Sequence, residues 1–382
     1  MTIALRGLST AVPPTVLVQH EARDVFAGQP GLTRLAQRLV TTAFSVSGIE
    51  TRRTVVDELT TAPRADAGDP VFYDQASGEL LMPGTKVRNE RYAEHAAALY
   101  LEAGGAALDA TPGIEASDVT HVITVSCTGF YAPGPDFQLA RDLGLPAGVQ
   151  RYHLGFMGCY ASLPALRLAR QLCEADASAV VLVVSVELCT LHLRTSNDPD
   201  TIVATSLFAD GAGAGIVTAR PLEPGERAFD LDRFSTRITP NGEGDMAWRI
   251  GDHGFEMVLS NAVPSIIGEH ITGALEPLFE GEPTLAEALA NDAAGDAIEH
   301  WAIHPGGRSI LDKVEARLGL GETQLDPARE TLREFGNMSS ATVLFVLRRI
   351  LDDPAAADGD LVAAMAFGPG LTVETALLTV RG

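Results

Sequence analysis

The chain has 382 residues, 46% of them hydrophobic and 20% charged, which suits a large packed core and argues against long disorder. Its 28 basic and 50 acidic side chains give a net charge of −22. No basic surplus exists to neutralise phosphates, so a general nucleic-acid or anionic-membrane binder is excluded, while a local basic mouth for one phosphorylated ligand is not.

From the N-terminus, no basic stretch leads into an apolar run, and Pro13 and Pro14 interrupt the segment. No run of about 18 apolar residues occurs, so no membrane span is expected and the protein is read as soluble and cytoplasmic. Residues 57–84, rich in Gly, Ala, Pro, Asp and Thr, read as a long irregular excursion. His121–Ser126 reads as a buried strand. A helical pattern follows at 159–174, with Leu163, Leu166, Ala169 and Leu172 at three- or four-residue steps. Residues 179–186 (AVVLVVSV) form a continuous apolar run, as in a strand covered on both faces. The Pro- and Gly-containing break at 221–226 marks a boundary between a half at 1–222 and a half at 223–382. The second half repeats the alternation with a strand at His300–Ile303, a helix at 337–351 and a strand at 361–367. The pattern predicts a layered α/β protein whose sheets are covered by helices, with one site at the junction of two similar halves. The four cysteines, Cys127, Cys159, Cys173 and Cys189, contain no C-x-x-C, and read as reactive or packed thiols of a reducing compartment rather than staples.

Four local motifs carry chemistry. In Gly155-Phe156-Met157-Gly158-Cys159, a glycine precedes a cysteine that opens an amphipathic helix. Glycine permits a tight strand-to-helix turn, and helix N-terminal amides favour a thiolate. The alternative is a small buried core residue. In Trp301-Ala302-Ile303-His304-Pro305-Gly306-Gly307-Arg308, an apolar strand delivers an imidazole to the sheet edge. A packing histidine is the alternative. Asn337, after Gly336, reads first as a helix cap, and alternatively as a donor to a developing oxyanion together with His304. The Gly-rich run at 208–215 lacks the spacing and the Lys-Ser/Thr ending of a phosphate loop, and reads as close packing beneath the site.

Taken with Leu207-Phe208-Ala209-Asp210-Gly211, Gly336-Asn337-Met338-Ser339-Ser340 and Phe367-Gly368-Pro369-Gly370-Leu371-Thr372-Val373-Glu374, these motifs resemble type III polyketide synthases, the chalcone and stilbene synthase-like family, in order and spacing over the whole chain. The resemblance implies the thiolase fold, a pseudo-duplicated α-β-α-β-α arrangement, in a homodimer. It implies a triad of Cys159, His304 and Asn337, with an imidazolium–thiolate pair ready near neutral pH. Phe208 and Phe255 would flank the meeting of entry tunnel and cavity, although the spacing of Phe255 with Val258 and Leu259 also fits plain packing. Thr128, Glu187, Cys189, His192 and Ser339 map onto cavity-lining positions, and Ala132 onto a loop that reaches the partner's pocket. The substrates implied are an acyl-CoA starter and malonyl-CoA-type extenders, joined by repeated decarboxylative condensation on Cys159 and closed to a pyrone, resorcinol or other phenolic. No metal, redox or ATP cofactor is implied.

The chain departs from the plant pattern in three places. The helix that meets the CoA phosphates in plant members is uncharged here at 39–48, with Arg38, Arg52 and Arg53 as its nearest basic residues. Arg308 is expected to take over at the tunnel mouth. The loop at 127–133 is shorter. Cys189 and His192 form a second Cys/His pair, read as pocket-shaping, with a role in cyclisation as the alternative. Two competing functions share much of this logic: a single-round β-ketoacyl synthase fed by an acyl-carrier protein, and a non-catalytic scaffold.

Overall fold

A computed structural model describes residues 2–60 and 68–382. The predicted excursion at 57–84 therefore lies partly outside the described residues. Its described part holds a short 3-10 turn at Asp57–Leu59 and a two-residue hairpin, Tyr73–Asp74 with Glu79–Leu80.

Nine strands form one sheet. In chain order they are β1 (Ala4–Ala11), β2 (His121–Ser126), β3 (Gln150–Gly155), β4 (Val180–Leu188), β5 (Asp210–Thr218), β6 (Ala228–Ile238), then, after a separate hairpin of β7 (Met246–Gly251) and β8 (Gly254–Leu259), β9 (His300–Ile303), β10 (Leu361–Gly368) and β11 (Thr372–Arg381). The order across the sheet is β9-β10-β11-β6-β1-β5-β4-β2-β3. Reading outward from the middle, β1-β5-β4-β2 and β6-β11-β10-β9 pair in the same senses: antiparallel, antiparallel, parallel. The halves are thus duplicates, and they join where Ala4 pairs with Asp230 and Leu5 with Phe229. β4 is buried along its whole length, as its run of branched apolar residues predicts.

Seven helices matter for the site: α1 (Arg34–Val46), α2 (Thr85–Asp109), α3 (Ser162–Ala175), α4 (Pro199–Leu207), α5 (Val263–Leu275), α6 (Arg308–Leu318) and α7 (Thr342–Asp352). α3 packs on β2, β4 and β5 of the first half and on β6 and β11 of the second. α7 likewise touches β1 and β5 from one side and β9 and β10 from the other. These two helices form a central layer between the halves, which explains why residues Thr342–Leu347 of α7 are all buried, with Arg348, Arg349 and Asp352 left on its outer end. α2 covers the outer face of the first half and α5 that of the second. The duplication places Cys127 after β2 where His304 follows β9, and Cys159 before α3 where Asn337 precedes α7.

The predicted strands fall within one or two residues of those observed. The helices start later than predicted: Cys159 sits on a turn three residues ahead of α3, and a 3-10 turn (Ser339–Ala341) intervenes between Asn337 and α7. The Gly-rich run packs as expected. A Cβ on Gly213 would lie 2.8 Å from the Leu344 Cβ, so β5 can approach α7 only with glycine there.

Candidate active site

The first half delivers Cys159 on a turn that only glycine supports. Gly158 has φ +80°, and a Cβ there would meet the Pro369 ring at 2.4 Å. The second half delivers Asn337 through a short parallel bridge. Its backbone N–H donates to Leu207 O at 2.9 Å, and its carbonyl accepts from Ala209 N–H at 2.8 Å, so Asn337 and Phe208 share one anchored step. The Asn337 amide is oriented at both ends: Oδ1 accepts from Ser339 N–H at 2.9 Å, and Nδ2 donates to Gly306 O at 3.3 Å. Asn337 is not the helix cap expected from the sequence: Met338 holds the N-cap position of the 3-10 turn, and the Asn337 side chain closes an Asx-type turn one residue ahead of it.

His304 leaves β9 with its N–H donating to Met365 O at 2.8 Å, and Gly306 N–H folds back to His304 O at 2.9 Å. His304 is 1% exposed, and neither ring nitrogen has a hydrogen-bond partner among the described residues. Buried polar atoms in that condition point to chemistry, since burying them without a partner is costly.

Burial pushes the Cys159 thiol up to about 12, against the opposing pull of the Ser339 and Asn337 side chains beside it. Burial alone lowers the His304 imidazole to about 3. Burial thus opposes a lone charge on either side chain.

Cys159, Cys127, Thr128, Cys189, Ser339 and Phe208 line one narrow hollow of about 10 Å³, closed by Met246, Trp248 and Met257 from the hairpin. A second hollow of about 20 Å³ lies beyond, where His192 and Phe255 stand. Cys189, Phe208, Trp248 and Met257 border both. Phe208 borders both hollows. Phe255 meets it only at the far one, stacked on His192 and Phe130, and Met257 stands in the hollow of Cys159. Residues 255 and 257 share a strand face, so Met257 stands next to Phe255 along the same wall.

Thr128 and Ser339 reach the Cys159 hollow, but Thr128 Oγ1 is committed to Glu187 at 2.8 Å and to Leu188 N–H at 2.9 Å. Glu187 borders neither hollow. Its carboxylate lies beneath, accepting from Cys127 N–H at 3.0 Å, from Thr128 and from Ser340. Burial pushes its pKa up while these donors oppose the shift. It supports the floor rather than lining the cavity. Among the described residues no group of three or more His, Cys, Asp or Glu converges as a metal site.

A wider cavity of about 590 Å³ is lined in part by Leu207, next to Phe208, and by Gly306, two residues beyond His304. Its rim carries Arg308 and Lys313 from α6 and the neutral Ala43, Val46 and Ser47 from the α1 end. Arg308 is exposed and 3.7 Å from Asp312. Arg52 cannot serve there: it is fully buried, donating to Thr205 O and Phe208 O at 2.9 and 2.7 Å. Arg53 reaches Pro14 O instead. Sequence reasoning missed Lys313, Trp248 and Met257. The alternating apolar residues on either side of Gly251-Asp252-His253-Gly254 were a readable hairpin signal for the last two.

Residues 74–221 match the N-terminal domain of chalcone and stilbene synthases, and residues 230–381 match the C-terminal domain. The chain is 33% identical over 388 residues to bisdemethoxycurcumin synthase of Oryza sativa subsp. japonica, across 98% of this chain and 92% of that protein. Among solved structures, PKS-I from the brown alga Ectocarpus siliculosus superposes with a TM-score of 0.88 at 28% identity, covering 99% of this chain and 98% of that one. The 1,3,6,8-tetrahydroxynaphthalene synthase of Streptomyces coelicolor A3(2), a bacterial type III polyketide synthase, superposes with a TM-score of 0.82 at 26% identity, covering 99% of both chains.

Proposed function

Because the chain belongs to the chalcone and stilbene synthase family, we propose that Cys159, His304 and Asn337 are the catalytic triad of this type III polyketide synthase. The protein is an acyltransferase of thiolase-like fold that condenses malonyl-CoA-type extenders iteratively onto a starter, with loss of carbon dioxide. The observation that supports the residue assignment is the Asn337 amide, which donates to Gly306 on the loop of His304 and stands beside the Cys159 thiol.

In the proposed sequence, an acyl-CoA enters through the wide cavity. His304 takes the Cys159 proton as the thiol attacks the thioester carbonyl, and CoA leaves with that proton. The oxyanion formed is met by His304 and Asn337. A malonyl-CoA then loses carbon dioxide, and its enolate oxygen is held by the same two donors. The carbanion attacks the Cys159 thioester, forming a carbon–carbon bond and releasing the thiolate for the next round. Decarboxylation drives each extension. Phe208, Met257 and Trp248 wall the reactive thioester from water, and Arg308 with Lys313 meets the CoA phosphates at the rim. Thr128, Cys189 and Ser339 shape the hollow, and closure yields a pyrone, resorcinol or other phenolic.

The two halves are taken as 1–222 and 223–382, a division supported by the gap between the matched domains. A homodimer is supported by the exposed outer strand β3 and by Phe130, Phe137, Tyr152 and Phe156, large aromatics exposed on the same half. No helix among the described residues is long and apolar enough to cross a membrane. The four unpaired thiols favour a cytoplasmic site of action. Delivery by an acyl-carrier protein is not favoured, since both domain matches are to chalcone and stilbene synthases.

The test is purified protein with labelled malonyl-CoA and a panel of short and long acyl-CoAs. Several carbon dioxides per product are expected. One per product, and only with a carrier protein, would replace this reading with a single-round synthase.

A further inference from the structure

The hairpin β7–β8 belongs to no larger sheet, yet it carries Met246, Trp248 and Met257 to the hollow of Cys159 and Phe255 to the one beyond. On the pocket side it is tethered to two successive carbonyls that follow β2. Trp248 Nε1–H donates directly to Cys127 O at 2.7 Å. The second tether runs through an imidazole: Phe255 N–H donates to His192 Nδ1 at 3.0 Å, and His192 Nε2 lies 2.7 Å from Thr128 O. A backbone N–H can only donate and a carbonyl can only accept, so this ring is neutral with its proton on Nε2. The ring also lies flat against Phe255, with centroids 4.2 Å apart and planes at 11°, and meets Trp248 edge-on at 5.6 Å. The segment bearing it is held in turn by Arg88 of α2, which donates to Leu191 O and Leu193 O.

We propose that His192 is a positioning residue: an imidazole strut that fixes Trp248, Phe255 and Met257 against the Cys127–Thr128 segment and so sets how far a chain can grow from Cys159. The inference rests on Cys159 being the acyl carrier. Because the hollows on either side of Trp248 and Met257 are so narrow, a small shift of the hairpin changes a large fraction of the room available. Both ring nitrogens are committed to backbone partners, which leaves no lone pair for the acid or base role in cyclisation. Its surroundings agree: burial lowers its pKa to about 3, opposed by the Thr128 carbonyl and assisted by the neighbouring Arg88 and Arg194 guanidinium groups.

The experiment compares His192→Phe, which keeps the stack and strands both backbone partners, with His192→Gln, which keeps one polar contact. Trp248→Phe removes the other tether and serves if His192→Phe does not fold. Starter loading is read by intact-protein mass, product lengths by mass spectrometry, and product formation is followed across pH. In His192→Phe the ratio of wild-type-length product to other lengths should fall roughly tenfold, the scale of one buried hydrogen bond. Loading should change far less, the shape of the pH profile should persist, and His192→Gln should fall between. Unchanged product lengths in folded variants overturn the strut, as does a uniform loss of rate. Loss of one limb of the pH profile at constant length would make the ring an acid or base instead. Wild-type protein that loads no starter would defeat the acyl-carrier reading itself, a different failure.

Discussion

The side-chain amide of Asn337 donates to the carbonyl of Gly306, two residues beyond His304, at 3.3 Å. This bond ties the turn before one central helix to the loop that presents the imidazole, although the two residues lie far apart in sequence. Truncating Asn337 to Ala should therefore remove an oxyanion donor and loosen the His304 loop together. Carbon dioxide release from malonyl-CoA is expected to fall about 10²–10³-fold, the usual loss for one such donor, with a smaller loss in starter loading. Equal losses in both steps would argue for a purely structural amide.

Cys159→Ala separates the two half-reactions. No acyl-enzyme should be seen by intact-protein mass, while malonyl-CoA still loses carbon dioxide measurably, because His304 and Asn337 remain. Extended products from this variant would exclude Cys159 as the carrier.

Burial raises the Cys159 thiol to about 12 and lowers His304 to about 3. A raised thiol pKa means that thiolate is scarce below it, and falls about tenfold for each pH unit of descent. In the proposed mechanism the wild type escapes this by passing the proton to His304 only as the sulfur attacks. In His304→Gln, iodoacetamide alkylation of Cys159 should be strongly slowed at pH 7 and should go on rising with pH beyond 9. A variant alkylated at the wild-type rate at pH 7 would show that the imidazole does not take this proton.

At the rim, Arg308→Ala combined with Lys313→Gln should raise KM for malonyl-CoA roughly tenfold at low salt, and less at high salt as the lost contacts are screened. The malonyl thioester of pantetheine lacks the nucleotide phosphates, so its KM should stay where it was. Steady-state kinetics with both thioesters decides the matter, and an unmoved KM for malonyl-CoA removes α6 from CoA recognition.

Gly158→Ala places a Cβ 2.4 Å from the Pro369 ring, at φ +80°. The cost expected in urea unfolding is on the order of 1–3 kcal/mol, accompanied by poor starter loading as the Cys159 turn is displaced. A variant of wild-type stability and loading would show that the turn relaxes freely.

Four strands (β2, β4, β9 and β10) and the three catalytic candidates were legible in the sequence because each is marked locally, while the remaining strands were not. Branched apolar runs announce β4 and β10, and Gly-Cys, His-Pro-Gly-Gly and Gly-Asn announce breaks where a side chain is presented. What stayed hidden was long-range. That Met257 reaches the hollow of Cys159 while Phe255, on the same strand face, lines only the one beyond depends on where the hairpin lies against the rest of the chain. The commitment of Glu187 to Cys127, Thr128 and Ser340 likewise depends on contacts across 59 to 153 residues. The burial that raises the Cys159 thiol and lowers the His304 imidazole comes from enclosure on all sides, which no local pattern encodes. Arg52 looked like a free cation beside a phosphate channel, and only packing reveals it as an internal brace.

The β7–β8 hairpin stands outside the nine-stranded sheet that presents Cys159, His304 and Asn337. Bond-making and mould are thus carried on separate parts of the chain. Descendants of this sequence can exchange Trp248 or Phe255 and release a different molecule without relearning how to make a carbon–carbon bond.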